Sequence, residues 1–93
     1  MTNSVSSRIK KLIDFMDLPS DVVLELPRIT VIGNLEILVE NHRGIQKYTS
    51  EQICLRVKGG IMSVNGRKLA IKIIEKDYIR LEGIIERIQF SSQ

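Results

Sequence analysis

His42 is the only histidine and Cys54 the only cysteine in this chain of 93 residues. They are the two side chains best suited to nucleophilic chemistry, because a thiolate beside an imidazole can attack an electrophilic carbon. Their settings argue against it. His42 sits among Glu40, Asn41 and Arg43 in a predicted loop, with no second basic group nearby to complete a proton relay. Cys54 alternates with Leu55 in a predicted strand, where a cysteine usually serves as a small apolar residue. One histidine and one cysteine cannot build a structural zinc site within a single chain.

Carboxylates pair at Glu36 and Glu40 and again at Glu82 and Glu86. The first pair shares one strand face, which the alternation leaves wet, and Gly83 interrupts the second. General acid–base work needs one carboxyl with a raised pKa, and nothing in either neighbourhood supplies it. Lys58-Gly59-Gly60 and Asn65-Gly66-Arg67-Lys68 lack the longer glycine frame and helix-opening Lys-Ser/Thr of a phosphate loop. Arg67, Lys68, Lys72 and Lys76 form a basic stretch that could meet RNA or another anionic surface. Base stacking needs aromatic rings, however, and the chain has only Phe15, Phe90, Tyr48 and Tyr78. These residues together predict a protein without a catalytic site, metal or cofactor. Nucleic-acid or anionic-surface binding through the basic stretch is the alternative.

The elements that must position these side chains are mostly short strands. Val5, Ile9, Leu12, Ile13 and Met16 follow helical spacing and predict an N-terminal amphipathic helix over 1–17, closed by Pro19. From 18 to 90 the chain reads as one all-β domain, with 91–93 as a tail. Leu35, Ile37 and Val39 share one face, as do Ile53, Leu55 and Val57, and Leu69, Ile71 and Ile73. Period two means one buried and one wetter face. Pro27, Gly33, Asn34, Gly44, Gly66 and Gly83 mark the turns and bends. Gly33-Asn34 suits a two-residue hairpin with glycine first, and Asn65-Gly66 suits a type I′ hairpin. At Gly83 the apolar phase slips from odd to even positions, which predicts a bulge or sharp bend. The pattern predicts an antiparallel meander of seven to eight short strands in a small roll or sandwich. Strand starts near Ile45, Ile53, Ile61 and Leu69 recur every eight residues and keep a β-solenoid as the alternative.

Charge is uneven. Residues 1–46 carry five Lys/Arg against six Asp/Glu, and residues 47–93 carry nine against five. The lone cysteine fits a reducing compartment. Arg8, Lys10 and Lys11 precede an apolar stretch too short for a signal peptide, and no apolar run approaches the ~20 residues of a membrane span. These features predict a cytoplasmic protein, with its basic amphipathic helix allowing contact at a membrane surface.

Leu26-Pro27-Arg28-Ile29-Thr30-Val31-Ile32-Gly33-Asn34, followed by Val39-Glu40-Asn41-His42-Arg43-Gly44-Ile45, resembles the signature of the YabP/YqfC family of sporulation proteins. Gly60-Ile61, Val64, Gly66, Leu69, Ile71, Ile79, Leu81, Gly83 and Ile85 are similar to the family's alternating second half. Length and the helix leading into Leu18-Pro19-Ser20-Asp21 favour the YqfC branch. The resemblance implies a small protein of endospore-forming bacteria, made in the mother cell and needed for spore development. It implies neither an enzymatic activity nor a cofactor. It suggests a protein partner, the membrane protein YqfD. Within the motif, Asn41, His42 and Arg43 are the interaction candidates, because a polar loop held by rigid strands presents side chains well. Open strand edges add the expectation of self-association.

Overall fold

The structure is a computed structural model, and it describes residues 25–92. The helix expected over 1–17 lies outside the described residues. Six strands follow: β1 (Arg28–Ile32), β2 (Glu36–Glu40), β3 (Ile45–Tyr48), β4 (Gln52–Val57), β5 (Gly60–Ile74) and β6 (Tyr78–Ser92). They form one antiparallel sheet in the order β1-β2-β6-β5-β4-β3. Antiparallel neighbours exclude the solenoid, whose stacked coils place strands parallel.

The strand count is six rather than seven or eight because an expected reversal does not occur. Asn65-Gly66 lies inside β5 instead of turning a hairpin. Gly83 lies inside β6, at the bend that the phase slip predicts. Ser91 and Ser92 are not a tail: they pair with Ile61 and Gly60 at the end of β6.

The two 15-residue strands form a long hairpin shared by two four-stranded ribbons. In the first ribbon, β1 pairs with β2, β2 with Tyr78–Glu82 of β6, and that half of β6 with Ala70–Ile74 of β5. In the second, β3 pairs with β4, β4 with Gly60–Asn65 of β5, and that half of β5 with Arg87–Ser92 of β6. The long hairpin changes register between Asn65 and Gly66 and between Arg67 and Ala70, where the ribbons meet. The sequence repeats in kind across this junction: Met62, Val64 and Gly66 on β5 correspond to Ile79, Leu81 and Gly83 on β6.

Both glycines are required by close approach. A Cβ on Gly66 would collide with the Ile84 carbonyl oxygen, and one on Gly83 would come within 2.7 Å of the Lys68 carbonyl oxygen. The free hairpin ends are stitched to the same junction. Gly83 and Ile85 donate their N–H groups to Leu35 and Asn34 at 3.1 and 2.7 Å. Gly66 and Leu69 donate theirs to Glu51 and Ser50 at 3.0 and 2.8 Å.

Because the ribbons bend at the junction, their inner faces meet. Ile37, Val39, Ile79 and Leu81 from the first ribbon and Ile53, Leu55, Met62 and Val64 from the second are fully buried in one cluster. Each such Ile or Leu contributes ~1.5–3 kcal/mol relative to exposure, so this cluster holds the crossover loops in place.

Candidate interaction site at the β2–β3 crossover

The chain passes from the first ribbon to the second through Asn41-His42-Arg43-Gly44. Hydrogen bonds tie this loop down at several points. Asn41 adopts a left-handed φ of 67°, a conformation its short amide side chain tolerates. Its N–H donates to the Asp77 carbonyl at 2.7 Å, and its Nδ2 donates to the Leu26 carbonyl at 3.1 Å. The Arg43 N–H donates to the Arg56 carbonyl at 2.7 Å, and the Arg56 N–H returns a bond to the Gly44 carbonyl at 2.8 Å.

His42 is only 8% exposed. Its Nδ1 accepts the Gly44 N–H at 3.1 Å, which places the ring proton on Nε2, and Nε2 donates to the Glu75 carbonyl at 3.0 Å. A neutral imidazole with both nitrogens engaged is a clamp between the crossover and the β5–β6 turn. It is not arranged as a base. Cys54 is buried on β4, its Sγ 3.5 Å from Ser63 Oγ on β5. The structure therefore does not bring the two candidate nucleophilic residues together.

Arg43 is the exposed member of the trio. Its guanidinium lies 3.9 Å from Glu25, whose carboxylate also bonds the Lys58 ammonium. The Lys58 hydrogen bond and charge, aided by Arg43, hold the Glu25 carboxyl below its ordinary range. Glu25, Asn41, His42, Arg43 and Asp77 line an open cavity of about 230 Å³. Two carboxylates and a guanidinium at its mouth suit recognition of charged side chains.

The other predicted residues fall elsewhere. Pro27 precedes β1. The β1–β2 hairpin turns through three residues, Gly33 at φ 56°, Asn34 and Leu35, rather than the two expected, since Ile32 pairs with Glu36. Gly44, at φ 116°, ends the crossover. Three of the four paired carboxylates meet arginines: Arg80 lies 3.2 Å from Glu36 and also bonds Glu82, and Arg67 lies 3.4 Å from Glu86. The Arg80 hydrogen bond, with the Arg80 and Lys72 charges, lowers the Glu82 carboxyl, the opposite of what a general acid needs. Lys68, Lys72 and Lys76 are exposed and strung along the end of β5 and its turn rather than clustered.

Sequence reading missed Glu25, Lys58, Glu75 and Asp77 as neighbours of the Asn41–Arg43 loop. No local signal marks them, since Glu75 lies 33 residues from His42 and Lys58 the same separation from Glu25.

The loop and the strands on both sides of it lie within a wider match. The YabP family model matches residues 25–93. The chain belongs to the YabP family. It is also 37% identical over 75 residues to the uncharacterized protein YqfC of Bacillus subtilis (strain 168), covering 81% of each chain. The YabP-family match thus spans all six strands and the crossover. Among the described residues of this YabP-family chain, no three His, Cys, Asp or Glu side chains assemble into a metal set. None of them forms a helix long and apolar enough to cross a membrane.

Proposed function

We propose that this protein is a non-enzymatic assembly or adaptor module of sporulation, acting in the mother-cell cytoplasm at the periphery of a membrane. It works by surface recognition through Asn41, His42 and Arg43, and its partner is a protein. The resemblance to the YqfC branch makes the membrane protein YqfD the first partner to test. His42 and Asn41 set the shape of the loop, and Arg43 makes the contact.

The observation that carries this reading is the contrast within Arg43. Its peptide N–H is locked to Arg56 at 2.7 Å, while its guanidinium is exposed and only 3.9 Å from Glu25. A preorganised backbone with a replaceable counter-ion lowers the ordering cost of binding. Exposed ion pairs contribute little to folding, so a partner carboxylate can take the place of Glu25.

The test is affinity capture of the tagged chain from sporulating cells. Wild type recovers a membrane or spore-assembly protein, and Arg43→Glu loses it while keeping its fold. Capture of no such protein by the wild type sinks the reading.

A second reading rests on Lys68, Lys72 and Lys76, which are exposed and take no part in the ion pairs found among the described residues. With Arg67 they would bind nucleic acid or an anionic surface. Salt-dependent retention on heparin, lost when the three lysines become glutamates, supports this reading; free passage at low salt removes it.

A further inference from the structure

We propose that the outer edge of β1 pairs antiparallel, about Thr30, with β1 of a second copy of this chain. The inference goes beyond the adaptor reading and does not depend on it.

Each ribbon has two edges, and three of the four carry devices that discourage strand addition. Bulges, lysines and other charges on an edge are such devices. β3 has a register shift between Ile45 and Lys47 and exposes Lys47. The Ala70–Ile74 edge of β5 has a shift between Ile71 and Ile73, carries Lys72, and gives its Ile71 N–H to the Tyr48 hydroxyl. The last half of β6 carries Glu86 and Arg87. β1 has no bulge and no lysine, and its one charge is Arg28 at its first residue. Its five residues pair with β2 in unbroken register. Among the described residues, nothing is paired with its other side. Val31 and Ile32 are 46% and 50% exposed, and Leu35 in the adjoining turn is 61% exposed.

The backbone directions suit a second copy. The Ile32 carbonyl turns into its own hairpin, accepting the Leu35 N–H at 3.2 Å. Paired and outward residues alternate along an antiparallel strand, so Ile29 and Val31 turn their N–H and C=O groups to the open side. A copy related by a twofold axis at Thr30 sets Ile29 opposite Val31 twice, and each pair exchanges both of its backbone bonds.

The side chains are self-complementary in that register. Ile29 and Val31 lie on the core-facing side and extend each other's apolar row. Thr30 faces Thr30 on the axis, a favourable cross-strand pair. Arg28 faces Ile32 of the second copy, whose next neighbour on β2 is Glu36. A chance partner strand would have to supply this pattern, whereas a second copy carries it already.

The experiment is sedimentation or light scattering of the full chain across the micromolar range, with Val31→Lys and Ile32→Lys beside wild type. The expected mass is twice that of one chain for wild type and falls twofold in either lysine variant, with an unchanged circular dichroism melt. Lys47→Glu on the β3 edge leaves the dimer intact. A second measurement uses Thr30→Cys in a Cys54→Ala background, because paired Cα atoms about 4.5 Å apart suit a disulfide. Mild oxidation links the two copies through Thr30→Cys. A single-chain mass for wild type at every concentration overturns the proposal and leaves the edge to a different strand. A dimer that survives both lysine substitutions, or that Thr30→Cys fails to cross-link, also overturns it.

Discussion

His42 Nε2 donates a 3.0 Å hydrogen bond to the carbonyl of Glu75, a residue 33 positions away, while His42 Nδ1 accepts the N–H of Gly44. The ring therefore joins the ribbon crossover to the β5–β6 turn from within a nearly closed site. His42→Ala leaves the part-buried Gly44 N–H without its acceptor and removes the shorter bond to the Glu75 carbonyl, which then keeps only the Tyr78 N–H at 3.4 Å. Each such loss costs ~1–3 kcal/mol, so urea denaturation should show destabilisation of about 2–4 kcal/mol. His42→Asn, with a shorter side chain that cannot span both groups, should recover less than half of it.

Gly66 and Gly83 mark the two crossings at the junction of the ribbons. A Cβ on Gly66 meets the Ile84 carbonyl oxygen, and one on Gly83 lies 2.7 Å from the Lys68 carbonyl oxygen and 2.9 Å from Leu69 Cα, at a φ of 147°. Backbone atoms cannot step aside as a flexible side chain can. Gly66→Ala and Gly83→Ala should each destabilise by about 3 kcal/mol or more, read as a lowered Tm. Gly59→Ala is the comparison. Nothing lies within 4 Å of its Cβ position, so only its φ of 93° opposes the change, and its cost should be about 1–2 kcal/mol.

The alternation of Ile37 with Val39, of Ile53 with Leu55, and of Ile79 with Leu81 was enough to read an antiparallel β protein and most of its buried face. The bend at Gly83 was legible because the apolar phase changes there. Gly66 was misread for a physical reason. Asn-Gly is the strongest local signal for a tight turn, yet here glycine is needed for the absence of a Cβ rather than for a positive φ. Local sequence cannot distinguish those two needs. The crossover loop was legible as a loop, and Asn41, His42 and Arg43 as its polar content. The division of labour among them was not, because Glu25, Lys58 and Glu75 reach the site only through the fold.

Stability should fall on acidification through the carboxylates that arginine and lysine hold. The Glu25 and Glu82 carboxyls are both lowered from an ordinary value of 4.5, Glu25 chiefly by the Lys58 hydrogen bond and Glu82 chiefly by the Arg80 hydrogen bond. A group whose pKa is depressed in the folded state adds stability above its unfolded pKa. That stability is lost as pH falls through the folded value. Urea midpoints measured from about pH 6 down to about pH 3 should therefore decline below pH ~4.5. The Glu25→Gln, Glu82→Gln double variant should start lower at neutral pH and decline less. An equally steep decline in that variant would assign the acid sensitivity to other groups.

Tyr48 tests how the edges of the two ribbons are held together. It ends β3 on the second ribbon, yet its hydroxyl accepts the Ile71 N–H of the first ribbon at 3.0 Å. This single side chain caps an edge N–H that would otherwise face water. Tyr48 is 51% exposed, so water can replace the lost acceptor and the stability cost of Tyr48→Phe should stay at or below about 1 kcal/mol. The larger effect should be local. Amide hydrogen exchange at Ile71 should speed up well beyond the change in global stability, because opening this edge no longer requires breaking that bond. Equal acceleration at core amides such as Val64 and Leu81 would instead mean that Tyr48 supports the whole fold.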